Sequence, residues 1–266
     1  MRNWGVAIAA VVLAILPASG QEARRSSQEA CRVGGRPDRL RAVMPEGDLV
    51  LESGGPAKLA GLRLPDDGPL RAEAIALLRA KTGTDVLLEA SPERDRWSRI
   101  SAVIRLEEGA PALDLGRSLV ETGLAIVDLA ASSALCRADL LQSEDAARKR
   151  SLGVWRDDRY KPIDAEDTER LRASVGRFVL VEGRIRSIGE RSQRVYLNFG
   201  GHWAEDFTIV IPRKTWKLMG ERGLDVAALK GQRIRARGIL EPWQGTALTL
   251  LIPEMIERLA GERLPR

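Results

Sequence analysis

Residues 53–106 read SGGPAKLAGLRLPDDGPLRAEAIALLRAKTGTDVLLEASPERDRWSRISAVIRL. Ser53-Gly54-Gly55-Pro56 is a turn signal between two strands that lie within Arg41 to Leu64. Pro69 suits the first turn of a helix, where its missing N–H would have had no partner in any case. Leu70, Ala74, Leu77 and Leu78 then recur at helical spacing, and Gly83 stops the run. Val86 to Glu89 is a strand, Arg94-Asp95-Arg96 a polar turn, and Ile100 to Leu106 a returning strand. Short strands with a helix set among them predict a mainly β, α+β domain.

Downstream, Leu115 to Glu121 is a short helix stopped by Gly123, and Leu124 to Leu129 is apolar and extended. Arg137 to Leu152 is a second amphipathic helix, with Glu144 and Arg148 spaced to pair on its surface. Gly153 suits a left-handed C-terminal cap, and Val154-Trp155 can fold back on the apolar face. Asp157 to Thr168 is charged, contains Pro162 and reads as a linker. Beyond it, Gly176–Ile188, Val195–Phe199, Phe207–Ile211, Gln232–Leu240 and Leu248–Ile252 read as strands, with a helix-like Arg213–Met219 before the fourth. Five short strands with one helix between the third and fourth is the pattern of an OB-fold barrel.

At the other end, Met1-Arg2-Asn3 precedes an apolar run from Gly5 to Leu16 and the small-residue stretch Pro17-Ala18-Ser19-Gly20. This is the layout of a signal peptide cleaved after Gly20, the alternative being an uncleaved anchor. The reading predicts a periplasmic or secreted protein with no stable membrane insertion after cleavage. In an oxidising compartment Cys31 and Cys136 can form one disulfide. Two cysteines and the single His202 cannot build the usual zinc site, and they leave no material for Cys/His or Ser/His/Asp catalysis. The net charge is +5, and the whole surplus of basic over acidic residues lies after residue 164. The organisation expected is 1–20 signal peptide, 21–40 lead-in, 41–156 first domain, 157–168 linker, 169–260 second barrel and 261–266 tail.

The pieces Glu46-Gly47-Asp48, Leu59-Ala60-Gly61-Leu62-Arg63-Leu64-Pro65, Asp95-Arg96-Trp97-Ser98-Arg99, Leu119-Val120-Glu121-Thr122-Gly123-Leu124-Ala125 and Glu144-x-x-Ala147-Arg148…Gly153-Val154-Trp155 occur in this order. In that order and spacing the first domain resembles the thermonucleases, the staphylococcal-nuclease-like family. The resemblance implies an OB barrel with three helices. It also implies calcium-dependent hydrolysis of phosphodiesters, with carboxylates on the metal, a carboxylate activating water and two arginines on the phosphate. The second barrel resembles an extra C-terminal domain of some exported relatives.

Carried over residue by residue, the resemblance leaves Asp48 as one metal carboxylate. It puts Lys58 at the first catalytic arginine, with the charge kept and the bidentate fork lost. Arg63 stands at the second metal carboxylate, Leu64 at the threonine ligand and Asp66 at the general base. Arg99 stands at the second catalytic arginine. The nucleotide-stacking tyrosines fall on Leu129 and Ala131. Calcium needs several oxygen ligands, so it is expected only if this family site persists, and no other cofactor is expected. Asp66 or Asp67 equally suits a helix cap before Pro69, and Lys58 a solvated strand end.

In the second barrel, alternation sets Arg184 and Arg186 outward on one strand and Arg233, Arg235 and Arg237 outward on another. If these strands are neighbours, the five arginines form either a patch that tracks a phosphate backbone or an ordinary solvated face. Trp203 and Trp243, near turns, suit either contact residues or caps of the barrel ends. Three functions follow: an eroded nuclease that binds nucleic acid or another polyanion, an active nuclease, and an envelope module with a protein partner.

Overall fold

The structure is a computed structural model that describes residues 34–107, 112–130, 137–201, 205–224 and 227–259. The signal peptide read at 1–20, the disulfide partners Cys31 and Cys136, Ala131, His202, Trp203 and the tail at 261–266 lie outside these residues.

The first half runs β1 (Arg36–Val43), β2 (Leu49–Leu51), β3 (Pro56–Leu59), β4 (Leu62–Arg63), α1 (Gly68–Arg79), β5 (Asp85–Arg94) and β6 (Ile100–Leu106). It continues with β7 (Leu113–Asp114), α2 (Leu115–Glu121), β8 (Ile126–Val127) and α3 (Leu140–Lys149). The sheet order β3-β2-β1-β5-β6 closes on itself because β3 also pairs with β6. β3–β6 is the parallel pair of this ring; its other pairs are antiparallel. This closed five-stranded barrel has OB topology. Alternate side chains of its strands fill the interior, among them Leu40, Leu49, Ala57, Leu59, Leu88 and Ile104. α1 closes the core with Ala74, Ile75 and Leu78. The barrel begins within the stretch expected to be a loose lead-in, since Arg36–Leu40 already belongs to β1.

Three local expectations change. α1 starts at Gly68 with Asp67 as N-cap, but no side chain makes the capping bond. Asp67 pairs instead with Arg159 at 3.2 Å, and Asp66 is exposed. Glu144 and Arg148 do not meet on a solvated surface: Glu144 is 0% exposed. Gly153 is left-handed (φ 51) for a reason other than helix capping, because Ser151 (φ 52) already follows the C-cap Arg150. Gly153 and Gly123 cross back to back, and a Cβ on either would fall within 2.3 Å of backbone oxygen on the other side. Val154 N–H donates to Gly123 O at 2.9 Å, which ties the chain after α3 to the end of α2.

The second half runs β9 (Ile163–Asp164), α4 (Thr168–Ala173), β10 (Phe178–Arg184), β11 (Ser187–Glu190), β12 (Arg194–Asn198), β13 (Phe207–Pro212), α5 (Arg213–Glu221), β14 (Arg233–Pro242), β15 (Thr246–Thr249) and β16 (Ile256–Arg258). The last long strand ends at Thr249, short of the expected Ile252. The order β11-β12-β13-β15-β14-β10 repeats the first barrel, with β13–β15 as its parallel pair. The ring closes where β10 bends into β11: Ile185 N–H donates to Gln232 O on the β14 side, and Arg186 N–H donates to Asn198 O on β12.

The segment expected as a linker is packed rather than extended into solvent. Tyr160, Ile163 and Ala165 are buried, and β9 lies parallel to β10. Leu180 of β10 joins Ile126, Ala147, Val154 and Trp155 in an apolar cluster between the barrels. The described residues accordingly form one compact unit.

Candidate functional site

Four charged side chains meet on the rim of the first barrel. The register Leu49–Ala57–Ile100 sets β2, β3 and β6 side by side. Ala57 and Leu59 point into the barrel, so Lys58 between them points out. Asp48 precedes β2, Arg99 precedes β6, and Asp95 opens the turn after β5. Arg99 Nη1 lies 3.1 and 3.2 Å from the two carboxylate oxygens of Asp48. Its Nε and Nη2 reach Asp95 Oδ2 at 2.9 and 2.8 Å, and Lys58 Nζ lies 3.6 Å from the same oxygen. The other Asp95 oxygen accepts the N–H groups of Trp97 and Arg99, each at 3.0 Å. Burial pushes the Asp95 carboxyl up, but the Arg99 side chain and these N–H donors outweigh it and hold it at about 2. Burial lowers the Arg99 pKa, and Asp95 and Asp48 reverse that to a net rise. Two cations thus face two carboxylates, and the cluster satisfies itself.

The remaining residues implied by the thermonuclease resemblance sit elsewhere. Arg63 on β4 has its Cζ 4.7 Å above the ring of Phe178 on β10, so its charge is directed at the second barrel. Leu64 packs against the core. The Asp66 carboxylate makes no contact with Lys58, Asp95 or Arg99, and its backbone N–H donates to Tyr160 Oη at 3.2 Å. Leu129 is buried. Asp128, which the sequence reading passed over, lies next to these groups. Burial raises its pKa, against the pull of Arg63, the Ala130 N–H, Lys58 and Arg237. Its only signal in the sequence is a lone acid at the end of the apolar Leu124–Val127 run.

These residues do not fit calcium. The cation takes six to eight oxygen ligands as a rule. Among the described residues, no three of the types His, Cys, Asp and Glu gather as a metal-holding group. Both oxygens of Asp48 are already engaged by Arg99.

The five-arginine patch is also corrected. β10 and β14 are neighbours, with Arg184 opposite Arg233 and Glu182 opposite Arg235. However, Glu144 and Asp145 of α3 lie against the outer face of β14, and β16 pairs along its edge with Glu257 opposite Arg235. Arg237 is 1% exposed. Its Nη2 pairs with Glu144 at 2.8 Å and Glu257 at 2.5 Å, and its Nη1 donates to Val127 O at 3.0 Å. Arg235 is buried against Glu182, 2.6 Å away, with Glu257 and Asp145 beyond. Only Arg184, Arg186 and Arg233 stay exposed; Arg184 donates to Gly231 O, and Arg233 lies 3.5 Å from Glu182.

What the first barrel does present is the β5–β6 hairpin. Trp97 is 57% exposed at its tip. Arg96 Cζ lies 3.9 Å and Arg99 Cζ 4.7 Å from the Trp97 ring centroid. The Asp95 carboxylate pins the turn through its two N–H contacts, so the indole and its cations are held in place. Compared with family models and with curated proteins, the chain matches none.

Proposed function

We propose that the chain is a non-hydrolytic relative of the thermonucleases that binds nucleic acid. One observation carries the proposal: Arg99, the residue that would neutralise a phosphate in the transition state, is held by Asp48 and Asp95. A preorganised donor aimed at developing charge supplies much of an enzyme's rate, and a donor already paired supplies little. Lys58 is directed at Asp95, Arg63 at Phe178, and Asp66 lies apart, so a metal, a base and a phosphate clamp do not converge. Binding needs less: exposed cations for the backbone and an aromatic surface for a base. The Arg96–Trp97 hairpin offers both, on a strand-connecting loop of the kind OB barrels use for oligonucleotides. The apolar run Gly5–Leu16 supports a place of action outside the cytoplasm. Among the described residues, no helix is long and apolar enough to cross a membrane.

The test is a titration of labelled single-stranded DNA and RNA at rising salt, with the Trp97→Leu and Arg96→Gln variants alongside. The proposal expects affinity to fall steeply with salt, a weaker complex with Trp97→Leu, and a salt slope lower by about one for Arg96→Gln if it meets a phosphate. Absence of retention at low salt would contradict it.

A further inference from the structure

The second barrel carries its own exposed aromatic–cation pair, on the opposite half of the molecule from Trp97. Val195 and Leu197 of β12 point into the core, so Arg194, Tyr196 and Asn198 share its outer face. Tyr196 stands opposite Val210 of β13, and Asn198 opposite Thr208. Trp243, 42% exposed, sits on the β14–β15 hairpin. Arg194 Cζ lies 5.7 Å from the Trp243 ring centroid, so the start of β12 and the far hairpin meet.

The hairpin is fixed in place by a close backbone approach. Gly245 (φ 122) lies against Glu205–Asp206, where a Cβ would come within 2.6 Å of Asp206 O. The neighbouring charges are largely spoken for: Arg213 pairs with Glu190 at 2.7 Å, and Glu241 accepts from Thr249 Oγ1 at 3.0 Å. Among the described residues, no carboxylate pairs with Arg194 or with the exposed Arg191 three positions before it. Exposed arginines that carry no carboxylate, beside an indole held by packed backbone, suit a ligand with a π-face and an anionic backbone.

We propose that this face, Arg191, Arg194, Tyr196 and Trp243, is a second nucleic-acid subsite, specific for single strands. It rests on the proposed function and narrows the ligand. The β2–β3 face of an OB barrel with its flanking loops is a surface on which an oligomer can lie, here β12 and β13. A base stacks on the Trp243 ring while Arg191 and Arg194 neutralise adjacent phosphates. A duplex hides its base faces in its own stack, so it can use only the arginines.

The full chain is titrated with a labelled oligothymidylate, with a duplex of equal length and with inorganic polyphosphate. Trp243→Leu, Trp243→Phe and Trp97→Leu are compared with the unsubstituted chain, and each variant is checked by thermal denaturation. The subsite predicts tighter binding of the single strand than of the duplex. It also predicts a loss of about 5- to 100-fold for Trp243→Leu and recovery with Trp243→Phe, the range that stacking of one base supplies. Single-strand binding that survives Trp243→Leu within twofold, or a duplex or polyphosphate bound equally well, overturns the subsite and leaves the proposed function standing. Binding of none of these by the unsubstituted chain overturns both.

Discussion

A phosphate that engages Arg99 must compete with Asp48 and Asp95, and that competition sets what single residues in the first barrel can do. Arg99→Ala would leave two half-buried carboxylates with only Lys58 nearby. It is expected to lower stability by about 1–3 kcal/mol, read from the denaturant midpoint, without altering any hydrolysis of nucleic acid. Asp95 supplies a pH signature. Its folded pKa of about 2 lies below its ordinary value of 3.8, so its pairing stabilises the protein above about pH 4. That contribution is lost as pH falls through 2, and Asp95→Asn should remove this part of the acid transition while lowering stability at neutral pH. Asp48, Lys58 and Arg99 were singled out from the sequence, and the fold brings them into one charge cluster with Asp95. What escaped was Asp95, read as a turn residue. Its carboxylate closes the cluster only because the turn aims it back at Arg99, and a distance of this kind leaves no trace in spacing.

Between elements, the outer face of β14 and the inner face of α3 are joined by charge. Arg237, Glu144 and Glu257 form a buried triad, and Val127 supplies both an acceptor to Arg237 and an N–H to Glu144 Oε1 at 2.7 Å. Desolvation takes back much of what such a triad gains, and the Nε of Arg237 is buried with no hydrogen-bond partner among the described residues. Removing one partner is costly all the same: Arg237→Met strands two carboxylates and is expected to destabilise by about 3–5 kcal/mol. Glu144→Gln keeps the Val127 contact and should cost less. Equilibrium denaturation of both variants checks the order. Alternation along β14 told which side chains leave the barrel, and it was right. It could not tell that another element lies against them, so Arg235 and Arg237, set outward by alternation, are an interior contact while Arg233 stays exposed.

At the scale of the molecule, two barrels with the same strand order share an apolar seam of Ile126, Ala147, Val154, Trp155 and Leu180. The seam predicts one cooperative melting transition for both barrels, with tryptophan fluorescence and far-ultraviolet dichroism changing together. Two resolved transitions would mean the seam contributes little. The second barrel was readable in advance because strand alternation and the intervening helix are local signals, whereas for the first the barrel was implied by its resemblance to a known family. The seam was not, since Pro162 and the charges around it mask the buried Tyr160, which belongs to it. The proposed function has the first OB barrel bind nucleic acid without cutting it. Its most direct test is to incubate the purified protein with labelled DNA and RNA, with and without calcium, and to score retention and cleavage in the same samples. The account predicts salt-sensitive retention with intact nucleic acid in both conditions. Calcium-dependent cleavage that Arg99→Ala abolishes would contradict it.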